Sequence, residues 1–413
     1  MDERAAVAWL HRRIGLGLSP AELDAARARG LTAELDRLVH PTDATDPWAG
    51  VDVPTDPKAG KAERVRVIAA WLDHLSTTST PILDRLAWTL HGWLVSSMDK
   101  VRSPAQMVGQ VQLLRAQGTG SFPGLLRAVA TDAAMLRYLD GADSTAGAPN
   151  ENFSRELLEL FALGVGNYTE GDVQAGARAL TGWTAGRSDT QATFRPRRHD
   201  DTPQQYLGHS GIHDVDGVIA AAVAQPAHPD FVARRVAREV LGTTDDAVVA
   251  SLVAAYEAGG RRLDVVVETA ARLAVEGGTD PAPVVLAPVP WLAMIRRSTG
   301  AAPPVAAVAK DLRAAGQIPM FPPNVAGWPG GKAWFASSTV VARADLAAAV
   351  AGATAQDHPT LDAARQGDLD ALADRLGVPD ARFSDPTAAA LDAAPDPRTR
   401  LALALTSPEV VIA

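Results

Sequence analysis

Apolar residues recur at the spacing of an α-helix along most of this 413-residue chain. Proline, glycine and small polar residues interrupt that spacing in four stretches, which are predicted loops at 41–60, 141–149, 184–211 and 318–335. The sequence shows neither a βαβ pattern nor a repeat of fixed period. The pattern therefore predicts an all-α fold, at least half of it helical, as a single large multi-helix domain over residues 1–413 with long irregular loops.

The predicted helices are joined by short connections between these loops. One helix begins at Pro20, after the N-cap Ser19, and ends near Gly30. Residues 193–195 and 205–207 could pair as one short β-hairpin, which would be at most a minor sheet. Other helices are expected at about 62–76, 81–98, 104–117, 121–131, 133–139, 151–164, 214–225, 228–241, 245–258, 262–275 and 302–315.

Composition and charge exclude several function classes. The chain has 39 basic and 48 acidic residues without a long run of one sign, which is unlike a nucleic-acid-binding protein. It has no cysteine, so disulfides, thiolate metal sites and Fe–S clusters are excluded. The longest apolar run, at 284–295, is too short to span a membrane and contains Pro288 and Pro290. The first residues show no signal-peptide pattern, so we expect a cytoplasmic protein with no nucleic-acid and no membrane partner.

Familiar catalytic and nucleotide-binding motifs do not occur. The sequence has no GxSxG, P-loop or HExxH motif and no GxGxxG after a strand, so it carries no nucleotide-cofactor signature. Candidate chemistry therefore rests on polar residues whose spacing could bring them together.

The predicted central helix carries the densest polar pattern. Glu151, Arg155 and Glu159 follow one another at i, i+4 spacing, and Asn152 and Glu156 form a parallel pair. Two interpretations are open for these residues. They could lie on the wet face of an ordinary amphipathic helix, or they could form a polar cluster in a cleft that holds a general base or a cation.

Histidines supply the other candidate groups. His91 falls at the edge of the apolar face of its predicted helix, so we expect it to be buried and hydrogen-bonded, either as a structural residue or as a metal ligand or acid–base. His199 and Asp200 follow three arginines in a predicted loop, which could close over an anionic substrate or could simply be solvated. His40 and His358 are expected to be exposed.

The loop at 318–335 is rich in proline, glycine and tryptophan. Its prolines fix φ and its glycines permit positive φ, so the loop is expected to be stiff. Trp328 needs either burial or a flat ligand. The loop could therefore be a plug that docks its tryptophan into the helical core, or Trp328 and Asn324 could bind a sugar or an aromatic ligand.

Several segments resemble the signature of a known family. Residues 150–160 read NENFSRELLEL, and LGVGNYT and ARALTGW follow at 163–169 and 177–183. MLRYLD stands at 135–140 and PNVAGWPGG at 323–331. These motifs resemble the bacterial family catalogued as domain of unknown function 1800, and the resemblance covers almost the whole chain.

The resemblance implies a helical fold but no named activity. It also reveals two departures from the family pattern. Trp93 stands where many members carry a second histidine after His91, and Phe161 stands where many carry another histidine. If those histidines bind a divalent metal elsewhere in the family, this chain has lost part of the ligand set, and His91 and Glu156 are its remaining candidates. Metal dependence and an inactive site both stay open.

The leading hypothesis is an enzyme-like protein that uses general acid–base or metal-assisted hydrolysis. The alternative is a non-catalytic binding or scaffold protein for a small molecule or a protein partner, with a structural ion network in place of a catalytic site. The residues assigned to the enzyme hypothesis are Glu151, Arg155, Glu156, Glu159 and His199 for catalysis, and Asn152, Asp200, Asn324 and Trp328 for substrate binding.

The two interpretations of the central helix differ in the expected stability of one variant. In a closed cleft, Arg155→Ala leaves buried carboxylates without their cation and costs about 3–5 kcal/mol. On a wet surface, the same change costs well under about 1 kcal/mol. The polar character of the best-matching motif residues favours the cleft.

Overall fold

The computed structural model describes residues 1–42 and 44–413. About 60% of the chain is helical, which confirms the prediction of an all-α fold. The described residues form 23 α-helices. In chain order the first twelve, α1 to α12, are Glu3–Arg13, Pro20–Arg29, Leu31–Val39, Lys61–Thr77, Pro81–His91, Met98–Val101, Pro104–Gln117, Phe122–Ala130, Ala133–Tyr138, Asn152–Glu156, Glu170–Ala179 and Val215–Val223. The remaining helices, α13 to α23, are Ala227–Val236, Asp246–Ala258, Leu263–Val275, Pro288–Thr299, Val305–Ala314, Ser337–Ala353, Pro359–Gln366, Leu369–Arg375, Asp385–Asp392, Pro397–Thr406 and Pro408–Val411.

Two large apolar clusters hold these helices together. The first cluster gathers side chains from α1, α3 and α8–α15, and the second gathers side chains from α4, α6 and α16–α23. Helices α5, α7 and α9 contribute to both clusters: in α5, Leu86 and Leu90 belong to the first and Trp88 to the second. These three helices therefore connect the two clusters.

Helix α16 is the main element that the sequence pattern did not predict. All 12 of its residues are buried, so it lacks the polar face whose spacing would reveal a helix. Pro288 and Pro290 lie in its first turn, where a proline loses no intrahelical hydrogen bond. In the part of the chain that the structure describes, neither α16 nor any other helix combines the length and apolar composition needed to cross a membrane.

The predicted helix 81–98 is shorter than expected. It ends at His91, and a separate short helix begins at Met98. The loop at 318–335 docks against the end of α5, where a Cβ on Gly327 would lie 2.2 Å from the carbonyl oxygen of Gly92. Only glycine, which also has the positive φ of 86° found at Gly327, permits this close approach.

Four short strands form two antiparallel hairpins rather than the single predicted one. Strand β1 (Trp183–Thr184) pairs with β2 (Thr193–Phe194), and β3 (Gln204–Tyr206) pairs with β4 (His209–Ile212). The predicted pairing of β2 with β3 is therefore wrong. The two residues between β3 and β4 both have positive φ, as in the tight turns that favour pairing between neighbouring strands.

The two histidines expected to be exposed differ in environment. His40 is exposed, as predicted. His358 is half-buried, and its Nδ1 accepts a hydrogen bond from the backbone N–H of Thr360 at 3.2 Å. The prediction for His358 is wrong because its side chain caps the N-terminus of α19.

Candidate functional site

A cavity of about 40 Å³ lies in the first apolar cluster, where α1, α5, α13 and α15 meet. Most of its walls are apolar, but the guanidinium-bearing side chains of Arg13, Arg85 and Arg235 also line it. Glu239 is the one acidic residue among the described residues of the lining. Arginine is rarely buried without a partner charge. We call this feature the arginine-lined cavity. Its volume exceeds the roughly 10–15 Å³ that one water molecule requires.

Arg13 lies at the last turn of α1 and is buried. Its Nη1 donates a hydrogen bond to the carbonyl oxygen of Val240 at 3.0 Å, and its Nη2 donates to that of Ala282. Its Nε is buried without a hydrogen-bond partner. Burial, together with repulsion from Arg85 and Arg12, lowers the pKa of Arg13 to about 9. Neutral carbonyl groups hold this cation, and they leave its charge unbalanced.

Arg235 of α13 stacks on the indole of Trp93, with its guanidinium carbon 4.6 Å from the ring centroid. Its Nη2 donates to the carbonyl oxygen of Gly92 at 3.4 Å, whereas its Nε is buried without a partner. Burial lowers the pKa of Arg235 to about 10, against an opposing effect of Glu239. Trp93 is itself fixed, because its Nε1 donates to the carbonyl oxygen of Leu160 at 3.0 Å.

Arg85 of α5 is half-buried. Within the described residues, no hydrogen bond or ion pair holds its guanidinium group. Burial lowers its pKa, and the charge of Glu239 partly opposes that effect. Glu239 itself is exposed to solvent. Three cations against one carboxylate leave two positive charges of the lining without a counter-charge.

This arrangement is suited to holding an anion. A guanidinium group presents several N–H donors in a plane and binds carboxylate, phosphate and sulfate oxygens in pairs. The apolar walls, such as Ile14 and Leu90, lower the local dielectric constant and so strengthen an ion pair formed there. Thr89 adds a hydroxyl group to the lining.

The residues predicted to form a catalytic cluster are not gathered in one cleft. Arg155 is 34% exposed and pairs with Glu151 at 3.0 Å and with Glu170 at 2.6 Å, and these two carboxylates are 41% and 69% exposed. The hydrogen bonds that Arg155 donates to Glu170 and Glu151 raise its pKa. The predicted closed cleft around Arg155 is wrong, and the alternative of a wet helix face is correct.

Other residues of the central helix contact a different set of side chains. Asn152 donates to Asp140 Oδ2 at 3.0 Å, and the same oxygen accepts from Lys100 Nζ at 2.8 Å. Glu156 is half-buried, and none of the described residues hydrogen-bonds to its carboxyl group; burial and the charge of Glu159 raise its pKa. Glu159 does not pair with Arg155 but accepts a hydrogen bond from a tyrosine hydroxyl at 2.9 Å.

His199 and Asp200 dock on another element. His199 Nδ1 lies 2.9 Å from the carbonyl oxygen of Thr181, and the ring packs edge-on against Phe194. Asp200 accepts a hydrogen bond from the backbone N–H of Thr202 at 3.1 Å, and the bonds from Thr202 lower its pKa. Among the described residues, no hydrogen bond or ion pair joins this loop to the predicted catalytic residues of the central helix.

His91 lies in a cage of Trp71, Trp88 and Trp328, with ring centroids 5.5, 6.4 and 5.3 Å away. It is fully buried, as predicted, but neither ring nitrogen has a hydrogen-bond partner, so the predicted hydrogen bonding is wrong. Burial lowers the pKa of His91 to about 3, which keeps the ring neutral. The described residues contain no group of three or more His, Asp or Glu side chains that could hold a metal ion, so the metal hypothesis for His91 and Glu156 finds no ligand set there.

The loop at 318–335 docks Trp328 into the helical core. The indole of Trp328 stacks on Trp88, with ring centroids 5.0 Å apart and an angle of 10° between the planes. Asn324 Oδ1 accepts a hydrogen bond from the backbone N–H of Ala326 at 2.9 Å and so shapes the turn before Gly327. This docking agrees with the alternative that the loop is a plug, because Trp88 covers one face of the half-buried indole.

The two residues that depart from the family pattern, Phe161 and Trp93, both pack in the structure. Phe161 is fully buried and packs against Phe153, with ring centroids 6.3 Å apart. Trp93 lines the arginine-lined cavity and carries Arg235 on its ring. The arginines of the cavity were not predicted as site residues. The signal that could have found Arg85 is a cation close to the apolar face of α5, at a position where packing alone needs none.

Comparison with known proteins agrees with the motif resemblance. The chain matches the family described as "Protein of unknown function (DUF1800)" over residues 9–412. No curated protein and no solved structure matches it. Since the match spans nearly the whole chain, the chain belongs to the DUF1800 family.

Proposed function

We propose that this protein binds a small anion with a carboxylate, phosphate or sulfate group in the arginine-lined cavity. The observation that carries the proposal is that three arginines line one apolar cavity, while the one acidic residue among its described lining residues is exposed. This function is the binding-protein alternative that the sequence left open. The proposed site, however, lies at the junction of α1, α5, α13 and α15 and not on the central helix.

The energetics of buried charge favour an occupied cavity. A charge in an apolar environment is costly unless a counter-charge and hydrogen bonds compensate it. Arg13 and Arg235 each keep a buried Nε–H without an acceptor, and Arg85 has no hydrogen bond among the described residues. A bound anion would supply both the missing acceptors and the missing counter-charge, because its oxygens accept hydrogen bonds and its negative charge balances the excess positive charge. A water molecule would supply only an acceptor.

The lining favours binding over catalysis. Among its described residues, Glu239 is the one carboxylate and it is exposed, and the lining includes no histidine or lysine to move a proton at neutral pH. The remaining polar contacts, from Gly92, Val240 and Ala282, are backbone carbonyl oxygens that orient the guanidinium groups.

Thermal unfolding in the presence of anions tests this proposal. Sulfate, phosphate and acetate are each titrated at constant ionic strength. A ligand at 100 times its Kd stabilises the folded state by about 2.7 kcal/mol, which for a chain of this length raises the Tm by about 3 °C. We expect a saturable rise of this size for at least one anion.

Two variants separate specific binding from general salt effects. Arg85→Met keeps the length of the side chain but removes its charge, and we expect it to weaken anion binding at least tenfold. Arg365→Met changes an exposed arginine of α19 and is expected to leave the anion response unchanged. A rise of equal size in all three proteins would show a general solvent effect and refute the site.

A second candidate function, general acid–base catalysis, is supported by Glu156. Its carboxyl group is half-buried with a raised pKa, and burial together with the charges of Glu156 and Asp99 raises the pKa of the Tyr138 hydroxyl. A carboxyl group whose pKa is shifted toward neutrality can both donate and accept a proton during catalysis. Asn152 lies one helical turn before Glu156 and donates a hydrogen bond to Asp140, which also pairs with Lys100.

This catalytic proposal is tested by comparing the wild type with Glu156→Gln on a panel of chromogenic ester, phosphate-ester and glycoside substrates. We expect a hydrolytic activity whose kcat falls by about 100-fold or more in the variant, the usual contribution of a general acid or base. The melting temperature should stay the same, because the carboxyl group of Glu156 has no hydrogen-bond partner to lose among the described residues. An activity that is equal in the two proteins would contradict the assignment.

A further inference from the structure

A second opening lies in the other half of the molecule, between α4 and α17. It is a groove of about 670 Å³. Its floor is apolar and includes Val65 and Ile68 of α4, Val305 of α17, and Ile318 and Phe321 of the following loop. Ile68 and Val305 belong to the second apolar cluster, and Val65 and Phe321 pack against it, so the groove is separate from the arginine-lined cavity in the first.

Four cations line this groove, and none of its described lining residues is acidic. Lys61 and Arg64 come from α4, and Lys310 and Arg313 come from α17. We call the feature the basic groove.

None of the four cations forms an ion pair with a carboxylate of the described chain. Arg64 donates only to the carbonyl oxygen of Pro57, at 3.4 Å. The guanidinium group of Arg313 lies 5.7 Å from the ring centroid of Phe321. No carboxylate of the described chain therefore balances the four positive charges of the basic groove.

The positive charges of the basic groove are unusual for a chain of this composition. The net charge is −9, and the whole sequence contains five lysines, of which Lys61 and Lys310 lie here. The nearest carboxylates in sequence, Glu63 and Asp311, are outside the lining. Glu63 is used locally, since it accepts a hydrogen bond from the backbone N–H of Gly60. The basic groove is therefore a second patch of uncompensated positive charge, separate from the arginine-lined cavity, in a protein whose net charge is −9.

We infer that the basic groove binds an anionic amphiphile, a molecule with one hydrocarbon chain and a carboxylate head group. The apolar floor suits the hydrocarbon chain, and the lysine and arginine side chains suit the carboxylate. The volume falls within the range of about 300–1,000 Å³ that is usual for small-molecule sites, which favours a single amphiphile over a protein segment. This inference concerns a different site and a different ligand from the arginine-lined cavity.

Equilibrium dialysis with radiolabelled myristate, below its critical micelle concentration, tests this inference. We expect saturable binding of one myristate per chain. Acetate, which has the same head group without the chain, should not compete. Dodecyl maltoside, which has a chain without the charge, should compete at least tenfold more weakly than unlabelled laurate.

A double charge reversal locates the site. Lys310→Glu with Arg313→Glu changes two exposed side chains of α17 and is expected to weaken myristate binding at least tenfold. Arg187→Glu with Arg197→Glu reverses two exposed charges outside the groove and should leave the affinity unchanged. Arg85→Met should also bind myristate normally, so failure here and failure of the anion proposal are distinguishable.

Two results would overturn the inference. One is the absence of saturable myristate binding, or binding of equal affinity in the Lys310→Glu, Arg313→Glu variant and the wild type. The other is binding of an amphipathic peptide of glutamate and leucine that depends on Lys310 and Arg313 while myristate does not bind. That second outcome would identify the groove as a docking surface for an acidic protein segment.

Discussion

Asp84→Ala is expected to destabilise the folded protein by about 3–5 kcal/mol, the scale for breaking a buried ion pair by removing one partner. Asp84 is completely buried in α5. Its Oδ1 accepts from Arg115 Nε at 2.7 Å, and its Oδ2 accepts from Thr78 Oγ1 at 2.6 Å and lies 3.1 Å from His74 Nε2. Burial alone would raise the pKa of Asp84, but the hydrogen bonds and charges of His74 and Arg115 lower it. Removing the carboxylate leaves the buried Arg115 without its counter-charge.

Urea denaturation measures this effect against a matched change at the surface. Arg155→Ala also removes one member of a network of charges, but the network is in water, so we expect a loss within about 1 kcal/mol. The midpoint for Asp84→Ala should therefore fall far below those of the wild type and of Arg155→Ala. If the two variants unfold at the same urea concentration, burial does not separate these two networks and our account of Asp84 is wrong.

The contrast between these two networks shows what helical periodicity can and cannot indicate. The i, i+4 spacing of Glu151 and Arg155 correctly placed them on one face of a helix and in contact, at 3.0 Å. Periodicity describes the direction in which a side chain points but not the depth of the layer that covers it. Whether Arg155 is wet depends on which other helices pack nearby, and that information lies outside its own segment.

The family motif misled for a related reason. The polar residues of the motif favour a cleft, since packing needs only the apolar positions. Several of them instead hold the backbone: Ser154 donates to the carbonyl oxygen of Val173 at 2.8 Å, Thr169 caps α11, and Asp172 accepts from the backbone N–H of Leu207 at 2.7 Å. Polar residues can therefore mark turns and helix ends as well as chemistry.

The helical content could be predicted because most helices have one wet face. Helix α16 could not, because all its residues are buried and no polar face sets its period. The arginine-lined cavity could not be predicted from the sequence for a different reason. Arg13, Arg85 and Arg235 come from helices far apart in the chain, and only the packing of those helices brings them to one cavity.

Acidification is expected to destabilise the protein through His91. In the cage of Trp71, Trp88 and Trp328, burial lowers the pKa of this imidazole from its usual 6.5 to about 3. Below pH 6.5 the unfolded chain therefore binds a proton at His91 that the folded chain does not bind. The resulting stability is fully present above pH 6.5 and is lost as the pH falls from 6.5 toward 3. Because one pKa unit corresponds to about 1.4 kcal/mol, the full loss is roughly 4–5 kcal/mol.

His91→Phe isolates this contribution, because phenylalanine keeps an aromatic ring in the cage but cannot bind a proton. Between pH 7 and pH 4, we expect the free energy of unfolding of the wild type to fall by about 3 kcal/mol more than that of the variant. His228, whose pKa burial lowers to about 4, titrates in both proteins and cancels in the difference. Urea unfolding curves collected across this range measure the difference, and parallel pH profiles for the wild type and His91→Phe would mean that the tryptophan cage admits the charged imidazole.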